Sequence, residues 1–197
     1  MRGREMSDRR RQIADAGIHI LSARGARALT HLNVDRELGL ANGSTSYYAR
    51  TRRDLIKLVV ERLAERTVEE LSVEVATAAW NVEDERSVAA RVATGLARSA
   101  RRTEDHRARI LLLMECRSDP ELYDALLRGT SVREHFSREV LPFLQSLNVA
   151  DVEERAADLA ALVDALLMQR VIRNAPVDEE LIIYSFLSGL SRVTSAD

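Results

Sequence analysis

Apolar residues along this chain recur three and four positions apart, at helical spacing, with no strand-like alternation. Ile13, Ala16, Gly17, Ile20 and Leu21 form one such stripe. It predicts a helix over about 8–24, with Ser7 as N-cap and Gly25 supplying a left-handed exit. Leu29, Leu32, Val34 and Leu38 then dock a short helix opened by Thr30 and closed by Gly39. Past Gly39-Leu40-Ala41 a second short helix is expected over 42–48. Asn42 is its expected N-cap, because Ala41 has no side-chain oxygen to accept the free amides. Thr51-Arg52-Arg53-Asp54 is a capping-box pattern that opens a long helix carrying Leu55, Ile56, Leu58, Val59, Leu63 and Val68 toward Trp80.

The rest reads as helix after helix: 87–101 beyond a break at 81–85, then 105–117, then one through Leu127 started by Asp119-Pro120. A helix over 132–147 is interrupted or kinked at Pro142, and Asp151 with Glu154 makes another capping box for a helix over 153–173. Asn174-Ala175-Pro176 stops that helix, and Asp178 caps a last one through Arg192. Nine or ten helices, all-α, with no internal repeat, is the expected architecture.

Composition agrees. Of 197 residues 46% are hydrophobic, 30% charged and 4% aromatic, with three prolines and eight glycines, which suits a folded helical protein. Cys116 is the lone cysteine, so no disulfide staples the fold. No apolar run approaches membrane-spanning length, and the charged start MRGREMSDRRR has no apolar stretch behind it. A cytoplasmic location is expected. The net charge of −2 hides a split: through Lys57 the chain has 12 Lys+Arg against 6 Asp+Glu, and beyond it 17 against 25. A basic head on an acidic body points the first fifty-odd residues at a polyanion. Arg9, Arg10 and Arg11 form a basic arm ahead of the first stripe.

Two short helices joined by a Gly-containing turn and braced by a longer helix make a helix-turn-helix arrangement. Its second helix enters the major groove, so its outward residues must be small or polar and able to reach base edges. Asn42, Gly43, Ser44, Thr45 and Ser46 meet that demand, Tyr47 and Tyr48 add hydroxyls and rings, and Arg50, Arg52 and Arg53 supply charge for phosphates.

The segment ALTHLNVDRELGLANGSTSYYARTRRDLIKLVVERL resembles the DNA-binding domain of the TetR family of bacterial transcriptional regulators. The match lies in Leu29-Thr30, Gly39, Gly43, and the aromatic pair before a basic residue and an apolar long helix, over about fifty of 197 residues. The resemblance implies that Thr30 contacts phosphate and that Asn42, Ser44 and Thr45 read bases. It also implies that Tyr47 and Tyr48 stand where backbone contacts are made, and that Arg52 replaces a usual lysine. Ala49 stands where the family usually has phenylalanine and Ser46 where it usually has tyrosine, which weakens the packing of the recognition helix on the long helix unless Tyr47 or Tyr48 turns inward to fill the gap.

These readings divide the chain into a DNA-binding segment, 1–53, and an effector-binding and dimerisation segment, 54–197. Leu159, Leu162, Val163, Leu166 and Leu167 fall near one stripe, and the last helix, with Ile183, Phe186, Leu187 and Leu190, is apolar over more than half its circumference. Pairing these helices with a second copy in a four-helix bundle would cover both. The resemblance further implies a small-molecule effector held among the middle helices, with Trp80, Leu96, His106, Ile110, Met114, Tyr123, Phe136 and Phe143 as candidates to line its site. The function expected is a sequence-specific regulator, a repressor by the family's usual mode, that binds a near-palindromic operator as a homodimer. The alternative is a helical protein-interaction adaptor whose helix-turn-helix is not functional.

No catalytic residue, metal site or cofactor is expected. There is no glycine-rich phosphate loop, Lys57 is the only lysine, and no Glu-x-x-His occurs. Asp15 and His19, four apart, read as surface groups, and Cys116 among leucines reads as a buried thiol rather than a redox sensor.

Overall fold

The computed structural model describes residues 2–77, 84–128, 140–175 and 177–191, with side chains left aside for 2–7, 68, 70–77 and 128. In chain order its helices are α1 (Arg2–Arg24), α2 (His31–Glu37), α3 (Ser44–Tyr48), α4 (Arg52–Thr77), α5 (Glu85–Ser99), α6 (Thr103–Glu115) and α7 (Pro120–Arg128). They continue with α8 (140–146), α9 (Val152–Met168) and α10 (Glu179–Ser188), and a π-helical turn extends α9 over Gln169–Arg173. The fold is all-helical, as the periodicity predicts.

The caps explain most boundaries. Thr30 accepts the Asn33 N–H, Asp84 the Ser87 N–H and Asp178 the Leu181 N–H. At α4 the capping box forms: Asp54 accepts the Thr51 N–H at 3.0 Å while the Thr51 hydroxyl accepts the Asp54 N–H at 3.1 Å. At three helix starts the expected arm or cap does not form. α1 begins at Arg2, so Arg9, Arg10 and Arg11 belong to the helix and form no separate arm. Asn42 does not cap α3; its N-cap is Gly43, which has no side chain to offer. Asp151 adopts a left-handed conformation, φ 51°, and caps nothing with its side chain.

Two compact units share the chain: Met1–Val73 with Thr103–Thr130, and Glu74–Arg102 with Ser131–Asp197. The packing boundary therefore lies inside α4. In the first unit α1 is covered by α2, α4 and α6, so Ile18 and Ala14 are buried as well as the expected stripe of Ile13, Ala16, Gly17, Ile20 and Leu21. Leu55, Val59 and Leu63 of α4 and Ala108 and Leu112 of α6 complete that core. Leu32 is the exception among the predicted docking residues of α2, being 41% exposed.

Partly buried ion pairs fasten the same helices. Asp15 of α1 accepts from Arg62 at 2.8 Å and Arg66 at 3.0 Å, and Arg66 also pairs with the buried Asp105 of α6. Asp15 is therefore a structural anchor, while the exposed His19 meets Glu104 at 3.0 Å.

In the second unit Val88, Val92 and Leu96 of α5 pack with α9 and α10. Leu159, Leu166, Ile183 and Leu187 are buried there by the chain's own helices, whereas Leu162, Val163, Leu167, Phe186 and Leu190 are only partly covered. Of the residues expected to face a second copy, the first four are thus covered within the chain itself and the latter five keep free surface.

Gly17 lets α1 lie directly against Val59 of α4. A Cβ placed there would lie 2.5 Å from Val59 Cγ2. Ala at this position gains up to about 1 kcal/mol in helix propensity but must displace a stiff β-branched side chain, at about 1–3 kcal/mol. Gly17→Ala is therefore expected to lower the urea midpoint, and to raise it instead in a Val59→Ala background. A rise in the wild-type background would contradict this packing.

Candidate nucleic-acid interface

α2 and α3 are joined by a turn in which Gly39, φ 62°, and Gly43, φ 92°, adopt conformations that side-chain-bearing residues rarely take. Leu40 N–H bonds Asp35 O at 2.8 Å, which folds the chain back from α2. Ser44 then donates its hydroxyl to Ala41 O at 2.6 Å and leads into the single turn of α3.

The two sides of α3 differ. Thr45 is fully buried, Ala49 is buried just beyond the helix, and Tyr48 packs against the core of the first unit. Gly43, Ser46 and Tyr47 are exposed, Tyr47 by 75%, and Tyr47 meets Tyr48 edge to face at 5.1 Å. Tyr48 is thus the tyrosine that turns inward where Ala49 leaves space, and Tyr47 points out.

Thr45 needs correcting as a base reader. Its hydroxyl donates to Asp35 Oδ1 at 2.6 Å and its amide to the same oxygen at 2.8 Å, while the Gly43 amide donates to Oδ2 at 2.7 Å. A side chain with no exposed surface cannot reach a base edge. Asp35, of α2, and His31, whose Nε2 lies 2.7 Å from Ala49 O, are the residues that sequence reasoning missed. The available signal was their i, i+4 spacing, which puts both on one side of α2.

The arginines also sort. Arg52 donates to Leu29 O, Ala26 O and Glu115, the last at 2.8 Å, so it braces α4 against the preceding turn and α6. Arg53 is held by Asp119 and Glu121, which keep its guanidinium more firmly protonated than usual, and Lys57 pairs with Glu121 at 3.1 Å. In turn Arg53 draws the Asp119 and Glu121 carboxyls below their ordinary range. Arg50, just beyond α3, is exposed and makes no ion pair among the described residues. Thr30 is exposed, its hydroxyl occupied as the α2 cap at 3.2 Å. Asn42 is exposed and Ser44 half-buried.

The expected effector-lining residues fall in different places. His106, Ile110 and Tyr123 are half-buried in the first unit, and Met114 is 74% exposed and lines no interior there. Phe143 and Leu96 belong to the core of the second unit. Trp80 and Phe136 lie outside the described residues. Cys116 is buried; burial, with Asp119 and Glu115 nearby, pushes its thiol up, which disfavours the reactive thiolate. No described helix is long and apolar enough to cross a membrane.

Residues 83–191, over half of the chain, match the family model of the tetracyclin repressor-like C-terminal domain. No curated protein matches by sequence. Among solved structures, the chain resembles the multidrug binding protein EbrR complexed with imidazole, at 21% identity and TM-score 0.67 over 96% of this chain and 98% of that one. It also resembles a transcriptional regulator from Rhodococcus sp. Rha1, at 16% identity and TM-score 0.71 over 94% and 99%. A third likeness is a regulator from Saccharomonospora viridis in complex with choline, at 20% identity and TM-score 0.71 over 94% and 100%. At these identities the likeness is one of fold.

Burial alone would raise the Asp35 carboxyl, but the Thr45 hydroxyl, the Thr45 and Gly43 amides and His31 outweigh it and hold the group below the ordinary carboxylate range. A folded-state value below the unfolded one contributes stability that is complete above about pH 4 and lost as pH falls through the folded value. As pH falls below about 4, the unfolding free energy of the wild type should therefore fall more steeply than that of Asp35→Asn, by up to about one proton. Parallel slopes in urea titrations would refute it.

Proposed function

Since the chain belongs to the tetracyclin repressor-like (TetR) family of transcriptional regulators, we propose that it is a sequence-specific DNA-binding repressor that acts as a homodimer and answers a small-molecule effector. The observation that carries this reading is the outward side of α3. Ser46 and Tyr47 are exposed on a short helix turned back from α2, and directly after it comes the exposed Arg50, which makes no ion pair among the described residues. Hydroxyls and a flat ring suit base edges and sugar–phosphate contacts, and a guanidinium suits phosphate. Asn42 and Thr30 are the neighbouring exposed candidates. In this reading residues 1–53 carry DNA recognition and 54–197 carry pairing and sensing. It places the protein in the cytoplasm.

A second copy fits through the half-covered apolar residues of α9 and α10, namely Leu162, Val163, Leu167, Phe186 and Leu190. Two such subunits related by a two-fold would offer α3 to half-sites about 34–36 Å apart, or a multiple of that. Similar folds hold imidazole and choline. We take a small organic molecule as the effector class here, shifting operator affinity roughly 5–150-fold through a change in the spacing of the two α3 helices.

The adaptor alternative draws on one observation: Arg52 and Arg53 are engaged by carboxylates. Salt separates the two readings. Operator binding should weaken with a log–log slope near −0.9 per phosphate neutralised. Arg50→Ala should weaken all duplexes about equally and flatten that slope by about one contact, whereas Ser46→Ala and Tyr47→Ala should change base preference. Gel-shift titrations in which no variant discriminates between operator and random duplex would favour the adaptor.

Pairing has its own check. Phe186→Glu puts a charge on the half-covered face, and sedimentation should find a folded monomer that has lost operator affinity far more than random-DNA affinity. A dimer that survives both Phe186→Glu and Leu162→Glu would remove this interface.

A further inference from the structure

α3 is a helix of five residues, Ser44–Tyr48, whose N-cap Gly43 offers no side chain. One turn of helix leaves nearly all its amides without an intrahelical partner and cannot persist by itself in water. Its cap comes instead from another helix. The carboxylate of Asp35 on α2 is itself buried, 1% exposed, and both of its oxygens are used. Oδ2 takes the Gly43 amide, and Oδ1 takes both the amide and the hydroxyl of Thr45. At the far end His31, one turn earlier on α2, reaches Ala49 O at 2.7 Å. A carbonyl only accepts, so Nε2 of His31 carries the proton. α2 thus grips α3 at both ends.

We propose that Asp35, Thr45 and His31 are positioning residues for sequence readout: they touch no base, but fix the rotation and depth at which Ser46 and Tyr47 are presented. The inference rests on the reading of α3 as the DNA-recognition helix. Its physical basis is the difference between apolar and polar contacts. Two apolar side chains at this junction would pack nearly as well after α3 slid or turned by a fraction of an ångström. Three donors converging on one carboxylate hold at a single register, because any displacement leaves a buried donor or a buried charge unsatisfied. Thr45 and Ser46 are adjacent, so the lock acts one residue from the exposed side chains it sets.

The same geometry sets the substitutions. Asn at 35 must turn its NH2 onto one of the three donors, since it has one accepting oxygen where the carboxylate has two. Val at 45 keeps the shape of threonine and removes one donor, while Ser keeps the donor and removes a methyl. His31→Gln can still donate to Ala49 O.

The test uses the full chain, a duplex enriched from a random pool by the wild type, and a random duplex of equal length at one salt concentration. Amide exchange is followed in the same variants without DNA. Asp35→Asn and Thr45→Val are expected to lose about ten-fold or more in operator affinity, while random-duplex affinity stays within about two-fold, because the phosphate contacts are left in place. Thr45→Ser should restore the ratio, and exchange at Gly43 and Thr45 should quicken in the two damaging variants but remain slow in the α1 and α4 core. A general loss of folding would quicken exchange throughout and lower both affinities together, and would overturn the inference. So would a wild-type ratio of operator to random affinity in Asp35→Asn, or unchanged exchange at Gly43 and Thr45. If the wild type enriches no sequence, the recognition reading fails and the readout role falls with it. Exchange at Gly43 and Thr45 then still reports whether the grip exists.

Discussion

The carboxylate of Asp35 accepts three hydrogen bonds from the first turn of α3, and that turn has little else to keep it helical. Everything α3 presents outward depends on this attachment. α2 in turn stands on Leu29 and Val34, both without exposed surface, in the core shared by Ile13, Leu55 and Val59. Arg52 ties the start of α4 to the carbonyls of Ala26 and Leu29, so the segment before α2 is fixed too. The links from core to exposed Tyr47 are few and stiff. Precision at the surface is inherited from packing beneath it, as a recognition surface requires when tenths of an ångström separate a good hydrogen bond from a poor one.

The electrostatics follow a second logic. The basic excess of the first fifty-odd residues looks like a phosphate-binding surface when counted along the sequence, but the folded chain spends part of it internally. Arg11 meets Glu65, and Arg52, Arg53 and Lys57 meet Glu115, Asp119 and Glu121. Half-exposed pairs of this kind contribute little stability each, so their main effect is to orient the helices and redistribute the field. Arg50 is left facing solvent beside α3, where the field still matters.

Helix positions were legible from sequence because burial follows the 3.6-residue period, and α1 and α4 show it plainly. The pairing of α2 with α3 was legible from Gly39 and the run of hydroxyls. The role of Thr45 was not. A threonine reads the same whether it faces water or fills a buried polar site, and the deciding partner, Asp35, is ten residues away across a turn. Asn42 misled for the same reason: local capping rules see only neighbours, and α3 takes its cap from another helix. At α9 and α10 the apolar stripes suggest cover by a second copy, but part of the cover comes from Val88, Val92 and Leu96 of α5 in the same chain. Periodicity reports that a face is buried and not by what.

Lys57 is the only lysine among 29 basic residues, so the ion pairs that brace α4 are otherwise guanidinium–carboxylate pairs. Guanidinium keeps its proton far into the alkaline range, whereas an ammonium group begins to lose it near pH 10. The bracing of α4 is thereby nearly indifferent to base and yields chiefly to acid, through its carboxylate half. Reagents directed at primary amines, for their part, would find a single side chain to modify, and it sits on the same helix.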